Sequence, residues 1–521
     1  MTYLGARGNT ATQMTKLERE LTYEKLGEWT SLDKMMTEQI DMYLSKIKLD
    51  KNYDLGDILR NMRMSDAFSQ SEADFRRREL YGIEAINDFV GVIEANEAVY
   101  HDILQLWAYF VVTMDLLTIS NGSFALDLFK KLNESSKGEN IFFSPWSIST
   151  GLAMVYLGAR GNTATEMAEV LHFKKEEKTV VSPPSSNPSR GRPRKRKMEP
   201  EQNETREIHV GFKTLLSAIN KPNKNYELKT ANRLYEEKTF PLIQRYLQLA
   251  KKFYCAEPQA VNFRTAAEQA RKKINSWVTN QTEGTIQDLL PTGSVDSRTA
   301  LVLVNAIYFK GKWEKQFIKE NTFERPFRVS KTKTKPVQMM FLKDMFKILC
   351  MDTMKLKIIE LPYIKNELSM FILLPDDISD STTGLELLER ELTYEKLAEW
   401  TSPDRMAKVE VEMYLPRIQL EEGYDLKLTL SSMGMPDAFS PGQADFTGLS
   451  DKKDLFLSKI FHKPFVEVNE EGTEAAAATG IVIAERAHLK AIKFKADHPF
   501  LFFIRHNKTK SILFFGKFCS P

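Results

Sequence analysis

The chain has 521 residues, 42% of them hydrophobic and 27% charged, with 73 Lys and Arg against 70 Asp and Glu and a formal net charge of +3. That balance allows a large buried core and removes any global electrostatic reason to expect nucleic acid or an anionic membrane as the main partner. Cys255, Cys350 and Cys519 are too few, and spaced wrongly, for a disulfide framework or a metal site, so they read as reduced thiols.

The amino terminus has no apolar run followed by a small-residue cleavage site, so no cleavable signal peptide is expected. The most apolar window, 103–119, is interrupted by Gln105 and Asp115, which argues against a membrane span. Residues 3–14 repeat residues 156–167 with one change, and residues 17–75 align without gaps to residues 388–446. About 34 of the 59 positions in that second alignment are identical, a true internal duplication but with too few copies for a solenoid. Only Thr15 and Lys16 separate the two pieces, where the complete copy holds about 220 residues. Residues 1–75 therefore lack partners for their apolar faces and are not expected to fold independently. Residues 76–113 form a connecting segment of unknown role that reads as one or two helices.

The complete unit is expected over 114–521. Phe124, Leu128, Phe129 and Leu132 fall on one face of a helix. Residues 174–206 are rich in Ser, Pro, Lys and Arg; Pro183, Pro184, Pro188 and Pro193 predict a disordered loop. Its basic cluster, with Arg194, Lys195, Arg196 and Lys197 at the centre, suits a nuclear localisation signal read by an import receptor, a polyanion patch, or a solvated linker. Sequence-specific nucleic-acid binding is not expected, because such a run attracts phosphate without reading bases. Val302–Phe309 and Leu368–Leu374 are apolar runs of the fully buried strand type.

The most informative segment is 466–486. An alternating strand with Phe465, Val466 and Val468 gives way to Glu470, Glu471, Gly472, Thr473, Glu474, Ala475, Ala476, Ala477, Ala478 and Thr479. Alanine favours helix, but Gly472 and Gly480 bracket the run and Ile481, Val482 and Ile483 follow it. Small side chains on both faces let such a segment slip between two strands without displacing packed neighbours. It reads as an inserting loop.

This segment resembles the reactive-centre-loop hinge of inhibitory serpins, in particular the intracellular ovalbumin-type (clade B) group. Asn140–Ile148, Asn275–Val278, Leu301–Trp313, Phe461–Lys463 and Asp497–Ile504 resemble serpin signatures in collinear order. The resemblance implies an α+β fold, three β-sheets surrounded by eight or nine helices, with an exposed reactive-centre loop. It implies an inhibitor and not an enzyme, a monomer in cytoplasm and nucleus, with no cofactor, metal or membrane. The implied activity is suicide inhibition of trypsin-like serine proteases, trapping the acyl-enzyme when the cleaved loop inserts into the central sheet. Family spacing from Thr473 puts the reactive bond at Arg486–Ala487, with Lys490 or the bond after Ala484 as competing registers. Arg486 would suit a specificity pocket floored by a carboxylate. Ser144, Ser147, Asn275 and His462 match the polar residues that hold the sheet closed, and Trp313 the tryptophan near the top where insertion starts; each read alone is an ordinary core residue. The alternative is a non-inhibitory serpin acting as a nuclear or cytoplasmic binding protein through the basic loop.

Overall fold

The computed structural model describes residues 97–173, 200–221, 224–380, 383–470 and 491–521, with side chains from residue 116 onward and, in the helix that starts at Pro200, from residue 206. The hinge 471–479, the bond Arg486–Ala487, the basic cluster Arg194–Lys197 and the duplicate 1–75 lie outside the described residues. The chain divides into two units, Met1–Thr113 and Met114–Pro521. Of the first, only the helical stretch from Glu97 is described.

Helix α1 (Glu97–Ser135) buries Phe124, Leu128, Phe129 and Leu132, the face its spacing predicts. After β1 (Ile141–Phe143), α2 (Pro145–Tyr156) starts with proline in its first turn and the Ser144 hydroxyl accepting from the Ser147 N–H, and it is buried throughout. Helix α3 (Gly161–Val170) follows, and α4 (Pro200–Ile219) begins inside the stretch expected to be loop up to 206. That boundary is corrected: the helix begins at Pro200, a residue suited to a first helical position because its missing N–H would have no partner there.

The functional sheet has six strands. Its order is β10 (Ile418–Glu421), β12 (Leu457–Val468), β4 (Leu301–Gly311), β2 (Tyr226–Glu237) and β3 (Gln259–Val261), with β11 (Tyr424–Asp425) also paired to β12. Along β4, Val302, Val304, Ala306 and Tyr308 pack beneath α6 (Phe263–Gln281), while Leu301, Leu303, Ile307 and Phe309 face the core that contains α2. Burial on both faces explains why Leu301–Phe309 is an almost wholly apolar run. The run has one polar residue, Asn305, and alternation sends it toward α2.

The nine-stranded sheet follows the order β1, β15 (Ile512–Phe518), β14 (Phe500–His506), β8 (Leu368–Pro375), β7 (Leu356–Pro362), β6 (Thr334–Met351), β9 (Ala407–Pro416) and β13 (Ile492–Lys495), with β5 (Phe323–Arg328) on β6. The long β6 pairs with β5 and β9 and, at its end, with β7, so the second and third expected sheets are fused into one ladder. Helix α5 (Gln244–Tyr254), α7 (Glu386–Glu391), α8 (Tyr394–Trp400) and α9 (Lys427–Ser432) complete the nine helices among the described residues. Among those residues no helix is long and apolar enough to cross a membrane.

The two stretches copied at the amino terminus are neighbours in this body. Arg160 N–H donates to the Asp445 carbonyl at 2.9 Å, Asp445 N–H to Thr163 Oγ1 at 2.9 Å, and Asp437 N–H to Glu166 Oε2 at 2.9 Å. The source of the β9–β10 copy is paired with β6 and β12, and neither partner strand is duplicated.

Candidate functional site

Strands β4 and β12 are adjacent and parallel, from Leu301 opposite Leu457 to Phe309 opposite Val466, while their outer neighbours β2 and β10 pair with them antiparallel. This parallel seam joins the two strands between which insertion would occur. It is connected directly to the loop, since β12 ends at Val468 and the small-residue segment begins four residues later, at Gly472.

A polar row crosses the seam at its middle. His462 sits opposite Asn305 on the next strand, and Asn305 sits opposite Asn232 on the one after. Ser144 N–H donates to His462 Nε2 at 3.0 Å, so that nitrogen carries no proton and Nδ1–H donates to Asn305 Oδ1. The Asn305 amide in turn donates to the Ser147 carbonyl at 2.7 Å, to Ser147 Oγ at 2.8 Å and to Asn232 Oδ1 at 2.7 Å; Ser147 Oγ donates to Asn232 Oδ1 at 3.1 Å. Ser144 Oγ closes the base of the network on the Leu513 carbonyl at 2.6 Å. His462 and Asn305 are both fully buried. Burial drives the His462 imidazole down to about 3, against a smaller upward effect of Asn305, so it is neutral at physiological pH.

Of the residues assigned to sheet opening, Ser144, Ser147 and His462 come together here. Asn275 does not, and its assignment is corrected. It lies on α6, where its amide donates to the Leu290 carbonyl at 3.0 Å and its Oδ1 accepts from Leu290 N–H at 2.9 Å. It fastens the loop after that helix. Its place at the centre is taken by Asn305 and Asn232, which sequence reading missed although Asn305 is the single polar break in an apolar strand.

At the end of the seam nearest the loop, Trp313 Nε1–H donates to the Asn469 carbonyl at 2.9 Å, and its ring stacks on Tyr363 with centroids 4.4 Å apart. Gly311 permits the close approach, because a Cβ there would fall 2.6 Å from the rings of Phe309 and Tyr363. One residue on, Glu470 is 2% exposed. Its carboxylate accepts from Arg417 Nε at 2.9 and 3.0 Å, from Arg417 Nη2 at 2.6 Å and from Thr322 Oγ1 at 2.5 Å, while its carbonyl accepts from Phe317 N–H at 3.0 Å. Burial alone would raise this carboxyl; the bonds from Arg417 and Thr322 outweigh it and hold the group below its ordinary value. The chain is therefore pinned at Glu470, immediately before the segment that would have to move. Arg417 and Thr322 had no local sequence signal.

This arrangement can hold a sheet closed and release it as a unit, and among the described residues no group of His, Cys, Asp or Glu is arranged to hold a metal. A family model described as serpin (serine protease inhibitor) matches residues 1–97 and 119–521. Human Serpin B10 (bomapin) is 55% identical over 408 residues, covering 78% of this chain and all of the relative; human plasminogen activator inhibitor 2 is 50% identical over 416 residues, with the same coverage. Uncleaved ovalbumin superposes over 78% of this chain and all of its own with a TM-score of 0.67 at 40% identity. A loop-inserted structure of a cleaved ovalbumin mutant gives the same coverages, a TM-score of 0.66 and 39% identity. With its α+β body, its parallel seam and these relatives of the ovalbumin-type group, the chain belongs to the serpin family of serine protease inhibitors.

Proposed function

We propose that the chain is a suicide-substrate inhibitor of trypsin-like serine proteases, baited at Arg486–Ala487. The observation that carries this reading is the parallel β4–β12 seam, closed by the His462–Asn305 pair and continuous with a loop of small residues. A strand returning from the end of β12 would lie antiparallel to both β12 and β4. Insertion thus exchanges one parallel ladder for two antiparallel ones, which pair somewhat better per residue.

The chemistry up to cleavage is the protease's own. Its serine oxygen attacks the Arg486 carbonyl, the amine of Ala487 leaves with the proton relayed by the protease histidine, and an ester joins the two proteins. The freed segment from Gly472 to Thr479 then enters the seam and carries the ester-linked protease with it, so that water no longer completes the cycle. The unspoiled hinge favours this over a non-inhibitory role. The relative named plasminogen activator inhibitor 2 supports an inhibitory role, and Arg486 itself is what suggests a protease of arginine specificity. A separate role of Arg194–Lys197 in nuclear import rests on the basic cluster.

The test is incubation of the full chain with trypsin at near-equal concentrations. A covalent adduct that survives SDS, with the new amino terminus at Ala487, is the expected result. Cleavage after Arg486 without adduct would eliminate inhibition and leave the non-inhibitory reading. For the basic cluster, replacing Arg194, Lys195, Arg196 and Lys197 by alanine should empty the nucleus of the protein; unaltered distribution would refute import.

A further inference from the structure

Alternate residues of β6, β9 and β13 make an outward face that the body leaves open among the described residues. Phe341, Lys343 and Met345 come from β6, Tyr414 with Glu410 and Glu412 from β9, and Lys493 and Lys495 from β13. Phe341 is paired in register with Tyr414, their rings 4.8 Å apart, and Lys495 Nζ lies 5.6 Å from the centre of the Tyr414 ring. Lys343 bonds Glu410 at 3.1 Å, and Lys493 stands 3.9 Å from Glu412. Met345 is 38% exposed beside this row. Tyr414 also packs against the main core, while both rings of the pair stay half-buried on this face, framed by the charges of Lys343, Glu410, Glu412, Lys493 and Lys495.

Its place in the chain points to an occupant. Strand β13 begins at Ile492, six residues after Arg486, a distance that extended chain covers in about 20 Å. A protease–inhibitor contact of standard size buries about 800 Å² on each partner, more than a few loop residues present, so a protease seated on Arg486 must also meet the body. The strand that anchors the loop is the first part of the body it reaches. We infer that the Phe341–Tyr414 face is a second contact surface for the protease engaged at Arg486, taking an apolar side chain of the enzyme between carboxylates that face Lys343 and Lys495. This rests on the inhibitory reading above. Aromatic side chains with a polar rim are the composition that anchors such interfaces.

The experiment measures the second-order rate of adduct formation with trypsin for the full chain, for Phe341→Ala/Tyr414→Ala and for Lys343→Glu/Lys495→Glu. The aromatic variant should associate about tenfold more slowly. The charge-reversal variant should also slow, and its rate should no longer fall as salt is added. Stoichiometry, the SDS-stable adduct and the thermal midpoint of the charge-reversal variant should be unchanged, which separates a lost contact from a damaged fold. Rates within twofold of the parent for both variants, with a parent that forms adduct normally, would overturn the surface and leave the inhibitor reading intact. A parent that forms no adduct overturns both.

Discussion

Replacing Asn305 by alanine removes the acceptor of His462 Nδ1–H and the donor to the Ser147 carbonyl, both fully buried, and the donor to the half-buried Asn232. A buried donor left unpaired costs about 1–3 kcal/mol, and a satisfied neutral hydrogen bond contributes about 1 kcal/mol, so the loss should be about 3 kcal/mol. For the 408 residues from 114 to 521, an unfolding entropy of about 2.1 cal/mol/K per residue gives about 0.86 kcal/mol/K, and the thermal midpoint should fall by about 3–4 °C. The kinetic consequence is larger. If the row must break before the seam opens, the same free energy raises the opening rate by up to about a hundredfold. The assay is differential scanning fluorimetry together with the half-life of adduct-forming activity near 45 °C. Asn275→Ala is the control, since it loses two bonds to the loop after α6 while leaving the polar row intact, and should shift the midpoint without accelerating inactivation. A midpoint within about 1 °C of the parent and an unchanged half-life for Asn305→Ala would refute the reasoning.

Three further outcomes follow from the same structure. Glu236 is 6% exposed and burial raises its carboxyl to about 7, against a smaller lowering from its own backbone; the folded state therefore favours its protonated form, and the contribution of this group to stability should be full below about pH 4.5 and be lost as pH rises through 7. The integrated effect is about 3 kcal/mol, so Glu236→Gln should flatten the midpoint-versus-pH curve and raise the midpoint at pH 8; parallel curves would contradict it. Arg417→Ala strands the buried Glu470 carboxylate at a cost of about 1–3 kcal/mol, and native gels after mild heating should show self-association that the parent resists; identical gels would remove Glu470 as a pin. Deleting residues 1–113 should leave the midpoint within about 1 °C and trypsin inhibition unchanged, because the duplicated stretches lack copies of β4, β6 and β12; failure of 114–521 to fold would show that the duplicate contributes.

How far the sequence was readable depended on whether a residue acts through its neighbours in the chain or across the fold. The buried strands β4 and β8 and the apolar face of α1 were legible, since periodicity reports burial directly. The seam was not, because nothing in Leu301–Gly311 states that its partner, about 150 residues later, runs parallel. His462 and Ser144 were found by resemblance, and Asn275 was misplaced by the same route; the hydrogen bonds of the row converge on Asn305. Arg417 meets Glu470 across 53 residues, a contact that surface charge spacing does not encode. The fusion of two sheets through β6 likewise depends on its 18-residue length, which an alternating pattern with Lys343, Asp344 and Lys347 obscured.

The claim on which the rest depends is that β4 and β12 must part. Ala306 and Lys463 are register partners across the seam, and neighbouring strands lie at a spacing a disulfide can bridge. Ala306→Cys/Lys463→Cys, in a background with Cys255 and Cys350 changed to serine, would lock the pair when oxidised and release it on reduction. The account predicts that trypsin cleaves the oxidised protein after Arg486 without forming an SDS-stable adduct, and that reduction restores the adduct. Equal adduct formation in the oxidised and reduced states would contradict it.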